Sequence, residues 1–281
     1  MSLNASVSTP VTHTNLNNAF AFDAQVVSGA AEVGDIYATL TAALAAGKKS
    51  IIVHPGTYTD DITVSGSNVT IIGAGQADWG GAAYTGGVHF SFDAGEQFNV
   101  GAGAKNVVVK NISVETTDQD GFNIQGDDVT LINCQACGCL GGGSSGISCT
   151  GDRLRIIGGE FNNNGDYGIS VTGDDIFIWG VRSGNNGDDG ISQSGTAARI
   201  IIIASQCFSN TDDGISTVNT SVRAVVFGCI CFSGTQWGVD MSLDSGANED
   251  ATRLIVASQV HDNGGGEISI GGGVSAGNII T

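Results

Sequence analysis

Two adjacent aspartates followed by Gly-Ile-Ser occur twice in this chain, from Asp188 to Ser192 and from Asp212 to Ser216. Four carboxylates at matched offsets have two chemical uses. Carboxylates about 5 Å apart repel, so one of them holds a proton or the group binds a hard cation such as Ca2+. Paired acids beside aromatic rings are also how a glycosidase grips and cleaves a sugar. Aromatic rings stand at the matching offsets as Tyr167 and Trp237. The same Asp-Asp-Gly is equally a turn, with the acids bonding local backbone groups and the glycine letting the chain bend. A solvated acidic turn is thus the structural alternative to a site.

Composition narrows the function classes. Forty-four glycines with only two prolines among 281 residues exclude collagen and Pro/Gly linkers, and 41% hydrophobic residues indicate a chain that folds. Glycine here is punctuation between many short strands. A net charge of −18 argues against nucleic acid and anionic membranes as partners. No hydrophobic run reaches transmembrane length, so no membrane insertion is expected. The opening MSLNASVSTPVTHTN has neither the basic nor the apolar segment of a Sec signal. Seven cysteines leave at least one unpaired in a monomer. The run CQACGC, from Cys134 to Cys139, has no second CxxC and no nearby histidine. Buried thiols formed in a reducing cytosol are the expectation.

The glycines Gly121, Gly146, Gly168, Gly190, Gly214 and Gly238 recur every 22 to 25 residues, each opening a strand such as Gly-Ile-Ser. A second apolar strand begins 14 residues before most of them: VVVK at Val107, LRII at Leu154, IFIW at Ile176, IIII at Ile200, AVVF at Ala224. That period, with β-branched runs and Asn/Gly/Asp turns, is the signature of a parallel β-helix coil. Right-handed crossover is the default for parallel strands.

The stretch YATLTAALAAGKKSIIVHPGTYTDDITVSGSNVTIIGAG, from Tyr37 to Gly75, resembles the first coil of pectate-lyase-like right-handed β-helices. In that pattern a short helix caps the open end, and a strand leads into a Pro-Gly-x-Tyr turn. With the repeats, the resemblance runs from about Ile36 to Thr281. It implies a fold more than an activity, because the superfamily holds lyases, hydrolases, epimerases, esterases, phage tailspikes and non-catalytic members.

Stacking coils about 4.8 Å apart turns the repeat into columns. Val109, Leu131, Ile156, Ile178, Ile202 and Val226 form one core column, and Phe122, Ile147, Ile169, Ile191, Ile215 and Val239 another. Ser148, Ser170, Ser192 and Ser216 are expected to face out. Asp128, Arg153, Asp175 and Arg199 alternate in sign as a structural charge ladder, continued by Arg223 and Arg253. That leaves few cations for a lyase base: Lys110, Arg155 and Arg182. Asn164, Asn186 and Asn210 form an asparagine column upstream of the aspartates. NTDDG is loosely similar to the aspartate motifs of polygalacturonase-type hydrolases, but their Gly-His-Gly and Arg-x-Lys partners are absent. The Asp-Pro-His of alginate epimerases is absent too. His13, His54, His89 and His261 have no spacing that suggests a triad or metal site, and read as lone surface or turn residues.

The strand preceding each coil's second half is apolar on its outward positions as well. Val108, Phe177, Ile201, Val225 and Ile255 share one outward column. Ile132, Ile157, Trp179, Ile203 and Phe227 share the next. Strands apolar on both faces are normally covered on both. The cover is either the chain's own N-terminal arm or a second copy. The run from Asn278 to Thr281 reads as the start of another such strand, leaving a parallel edge open to pairing.

The expected architecture is all-β: a right-handed single-stranded parallel β-helix, residues 36–281, with a short N-terminal capping helix. An arm, residues 1–35, serves attachment, capping or oligomer contacts. The expected function is a structural or adhesive β-helix, a virion component of spike, fibre or capsid-decoration type. It would work as a homo-oligomer, a trimer in first place, through Phe177, Trp179, Ile201, Ile203, Val225 and Phe227. It would be assembled in the host cytoplasm, displayed on the virion surface and in contact with other virion proteins; secretion by a non-Sec route is the alternative. Tyr167, Trp237, Asn186 and Asn210 are the candidates for binding a polysaccharide or cell-surface glycan. No cofactor is required, and Asp166, Asp188 and Asp212 are the candidate Ca2+ ligands. The alternative is a polysaccharide-degrading enzyme, a hydrolase rather than a lyase, using Asp188, Asp189, Asp212 and Asp213 as acid and base.

Overall fold

A computed structural model describes residues 22–29, 34–81, 83–95, 97–194, 199–217, 223–241, 253–270, 274–276 and 279–280. They form a parallel β-solenoid of about eight turns with one short helix near the N-terminus. Most full coils carry three strands; in two, the leading and middle strands run together as Asp127–Ala136 and Arg155–Asn162. In one three-stranded coil these are a leading strand Ile176–Trp179, a middle strand Arg182–Gly184 and a trailing strand Ile191–Gln193. Each pairs in parallel with its equivalent in the next coil, Ile176 with Ile200, Arg182 with Gln206 and Ile191 with Ile215. Leading and middle strands belong to a 20-stranded sheet, trailing strands to a nine-stranded one.

Left-handed residues turn the corners. Gly180 (φ 66°), Ala204 (φ 50°), Gly228 (φ 62°) and Ala257 (φ 52°) link leading to middle strands. Asn185, Ser209, Ser233 and Asp262 take the same conformation where the middle strand ends. Small or Asx side chains fill these places because a bulky Cβ is penalised there. The middle strands were not legible in the sequence. They read Arg-Ser-Gly, Gln-Cys-Phe and Gln-Val-His, too short and too mixed for alternation to register.

Both expected columns lie in the core, every member fully buried, beside further apolar columns such as that of Val107, Val129, Leu154 and Ile176. The second column extends to Ile62 and Phe98, in register with Phe122. Phe98 and Phe122 sit 5.3 Å apart, centroid to centroid. Each such side chain contributes about 1.5–3 kcal/mol of apolar burial. The helix, Leu40–Ala45, starts at Thr39, whose hydroxyl accepts the Ala42 N–H at 3.1 Å, and buries Leu40 and Ala43. All seven cysteines are free and buried. Burial pushes the Cys134 thiol up to about 12, the setting of a structural rather than a reactive cysteine.

Several expectations are corrected by register. Strand Ala24–Val26 pairs with Ser50–Val53, so the solenoid begins inside the segment assigned to the arm; residues 1–21 lie outside the described residues. Ala224 pairs with Arg253, Val225 with Leu254 and Val226 with Ile255. Arg253 therefore enters an interior column, where its guanidinium bonds the Met241 carbonyl, and Ile255 points into the core. A slip of one residue exchanges the two faces of a strand. At the far end, Val274–Ala276 takes the leading position, while Ile279–Ile280 pairs with the middle strand Gln259–His261. Ser192 and Ser216 are buried rather than outward in solvent. The charge ladder is present: Arg153 Nε lies 2.6 Å from Asp128 Oδ1, and Arg199 pairs with Asp175.

Candidate functional site

The acidic corner is built on an asparagine ladder at the exit of the middle strands. Asn186 Oδ1 accepts the Asn164 backbone N–H at 3.1 Å, and Asn210 Oδ1 accepts that of Asn186 at 3.2 Å. Each Nδ2 also donates to a carbonyl one coil back, Asn186 to Phe161 at 3.2 Å and Asn210 to Ser183 at 3.3 Å. Both side chains are buried and committed to the backbone. Asn186 and Asn210, expected as glycan contacts, have side chains that hold the turn.

The aspartates follow the same logic one step further out. Asp189 and Asp213 are each only 6% exposed. Asp189 Oδ1 accepts the Asp213 N–H at 3.0 Å, and Asp213 Oδ1 accepts the Trp237 N–H at 2.8 Å. Asp120 does the same for Ser145 at 2.8 Å. Burial is the main force raising Asp189 to about 7, opposed by those hydrogen bonds and reinforced by the charges of Asp213 and Asp188. Burial likewise raises Asp213 to about 7, with Asp212, Asp240 and Asp188 adding to it. Two carboxyls that titrate near neutrality thus lie against their acidic neighbours.

Carboxylate oxygens of Asp188, Asp189 and Asp212 lie within 4.8 Å of one another. Of the expected cation ligands, Asp188 and Asp212 fall in this group, Asp166 stands outside it, and Asp189 joins it. Burial and the charge of Asp188 raise both Asp166 and Asp212. Tyr167 is half-buried at the edge of the corner, its hydroxyl against Asp188, and burial with the surrounding carboxylates raises its pKa. Trp237 is half-buried on the opposite side, its ring against Gly266. Chemically the corner can store protons, chelate a hard cation or accept hydroxyl hydrogen bonds.

The outward stripe of the leading strands is apolar and open. Trp179, Ile201 and Phe227 are 49%, 41% and 47% exposed on three consecutive coils. Phe177, Ile203 and Val225 stand beside them, half-buried, in register.

Sequence reasoning missed the outward face of the middle strands. Glu160 and Arg182 pair at 3.1 Å, and the Arg182 guanidinium lies 5.2 Å from the Phe208 ring centroid. Phe208 stacks on Phe232 at 5.8 Å, and Phe232 on His261 at 5.5 Å. Phe208 and Phe232 each stand six residues before their coil's glycine, Gly214 and Gly238, so the repeat alignment carried the signal. His261 ends this stack instead of standing alone, and His89 is buried.

The fold is that of a pectate-lyase-like parallel β-helix. No protein-family model and no curated protein sequence matches the chain. Among solved structures it is similar to the pectate lyase Pel9A, with 15% identity and a TM-score of 0.66, over 92% of this chain and 77% of that one. The A-module of the mannuronan C-5 epimerase AlgE4 of Azotobacter vinelandii gives 13% and 0.58, over 81% and 66%. The Dettilon tailspike protein gives 12% and 0.55, over 99% and 65%. The chain thus spans just under two thirds of the epimerase module and of the tailspike. At these identities the likeness is one of fold. The protein is a β-helix distantly similar both to tailspike proteins and to polysaccharide-active enzymes.

Proposed function

We propose that the protein is a structural or adhesive β-helix of a virion, working as a homo-oligomer, with a trimer as its form. The observation that carries this reading is the open apolar stripe of Trp179, Ile201 and Phe227. Covering such a stripe returns about 25 cal/mol for each Å2 of apolar surface removed from water. A parallel solenoid offers the stripe on evenly spaced rungs, which suits a second copy laid alongside it. Similarity to a tailspike protein supports the virion setting. A cell-surface glycan binds along the acidic corner, between Tyr167 and Trp237, and a hard cation such as Ca2+ is held by Asp188, Asp189 and Asp212.

The test is solution mass by light scattering on the intact protein. The expected result is three times the 28.4 kDa chain mass. Trp179→Asp and Ile203→Asp, both at solvent-reached positions, reduce it to one chain while leaving the thermal unfolding of the monomer intact. A monomeric parent protein overturns the reading.

A hydrolytic second reading is favoured by one observation, the Asp189 carboxyl raised to about 7 within 4.8 Å of Asp188 and Asp212. A carboxylic acid protonated near neutrality is what a general acid requires. Reducing-end release from neutral and acidic polysaccharides decides between the two. The adhesive reading expects none. Turnover that Asp189→Asn abolishes would put the hydrolase first.

A further inference from the structure

The solenoid repeat is broken on one flank. Elsewhere a link of about two residues joins leading to middle strand, as Asn111 and Ile112 do after Lys105–Lys110. Between Val69–Gly73 and Val88–Phe92 the chain instead inserts an antiparallel hairpin, Asp78–Trp79 with Tyr84–Thr85. The hairpin lies down on the outer face of the middle strands. Tyr84 meets the His89 ring at 4.6 Å and the Trp79 ring at 4.9 Å, both tilted, and packs with Ala77 and Cys137 in a small apolar cluster. The Trp79 ring rests over Gly138, where a Cβ would collide with it. A second departure from the period, the loop through Leu140 and Gly141, stands nearby. Leu140 is the most exposed large apolar side chain described, at 71%. In repeat proteins such insertions gather on the face that binds.

Between these two insertions lies a cavity of about 480 Å3, within the size range of small-ligand sites. Trp79 and Leu140 form its apolar walls and Phe92 its floor, while Ser91, Glu115 and Asn163 supply polar groups. Glu115 Oε1 accepts the Ser91 hydroxyl at 2.9 Å. Behind it, His89 is 7% exposed, and its Nε2 sits 3.5 Å from Glu115 Oε1 with no hydrogen-bond partner. Burial lowers the His89 pKa, against the opposing pull of Glu115. Among the described residues no basic side chain lines the cavity, whereas Asp93 and Glu115 both do.

We propose that this cavity binds a neutral hexopyranose residue of a glycan, stacked on Trp79 and hydrogen-bonded through its hydroxyls to Glu115 and Asn163. An indole face meets the C–H face of a pyranose, and a carboxylate accepts two adjacent hydroxyls. Two acidic groups and no cation turn away uronates. The site's lining shares no residue with the acidic corner or the apolar stripe, so it goes beyond the function proposed above.

The test is an array of neutral gluco-, galacto- and manno-oligosaccharides beside oligogalacturonate and oligomannuronate, followed by titration with the tightest neutral binder. A neutral oligosaccharide is expected to bind. Trp79→Ala and Glu115→Gln each weaken it by about tenfold or more. Leu140→Asp, at a side chain too exposed to matter for folding, also weakens it, and Trp79→Phe retains part of the affinity. Asp212→Asn, in the acidic corner, leaves it unchanged. Binding of uronates alone, no neutral binder, or binding lost in Asp212→Asn and kept in Trp79→Ala each overturns the proposal. The last of these leaves a glycan at the acidic corner standing.

Discussion

Asp189 Oδ1 accepts the backbone N–H of Asp213 from the next coil at 3.0 Å, so a carboxylate pair that reads as catalytic is also a rung-to-rung tie. The tie needs an acceptor oxygen and has no need of charge. Asp189→Asn keeps the acceptor and removes a buried negative group, and its amide oxygen can occupy the place of Oδ1. The variant is expected to unfold at higher urea than the parent at pH 8, by on the order of a few kcal/mol, with little difference at pH 4. A loss of stability at pH 8 would show that the charge itself is needed.

The parent protein should carry the corresponding pH dependence. Asp189 and Asp213 have folded-state pKa values raised to about 7, above the unfolded carboxyl range. Between those limits the folded state binds more protons than the unfolded one, so their stabilising contribution is complete below about pH 4 and is lost as pH rises through 7. Urea midpoints at pH 5 and pH 8 check this: from these two groups alone the midpoint is higher at pH 5. The Asp189→Asn and Asp213→Asn double variant flattens the difference.

Asn186 is the ladder's central rung, tied to Asn164, Asn210 and the Phe161 carbonyl. Asn186→Ala strands the buried Asn164 N–H and leaves the Phe161 carbonyl without its amide donor. Destabilisation of roughly 2–4 kcal/mol is expected from chemical denaturation. A change within experimental error would mean that the turn closes without the ladder.

Three carboxylates within 4.8 Å repel less with a cation among them. Ca2+ at about 1 mM should raise the thermal midpoint at pH 8, and chelator should reverse it. The rise should shrink at pH 5, where protons compete for the same oxygens. Asp188→Asn with Asp212→Asn should abolish it; a Ca2+ effect that survives in that pair places the ion elsewhere.

The sequence by itself determined the solenoid. Gly121 through Gly238 mark the period, the columns from Val109 to Val226 and from Phe122 to Val239 mark the core, and the Arg153 and Arg199 pairs are a matter of equal offsets. These are properties of a one-dimensional repeat, in which each residue's neighbour is its equivalent one coil on. Where the period changes, the reading by offset failed. The longer spacing before Arg253 shifted its strand by one residue and turned Arg253 inward and Leu254 outward. Burial also lay beyond the sequence. Asp188 and Asp189 are adjacent in the chain, yet one is half-exposed and the other is sealed beneath the next coil's backbone, because successive side chains leave the turn in different directions. The cavity under Trp79 was decided only by tertiary structure. Its lining residues, from Trp79 to Asn163, come from a hairpin that leaves the repeat and from four successive coils of the solenoid.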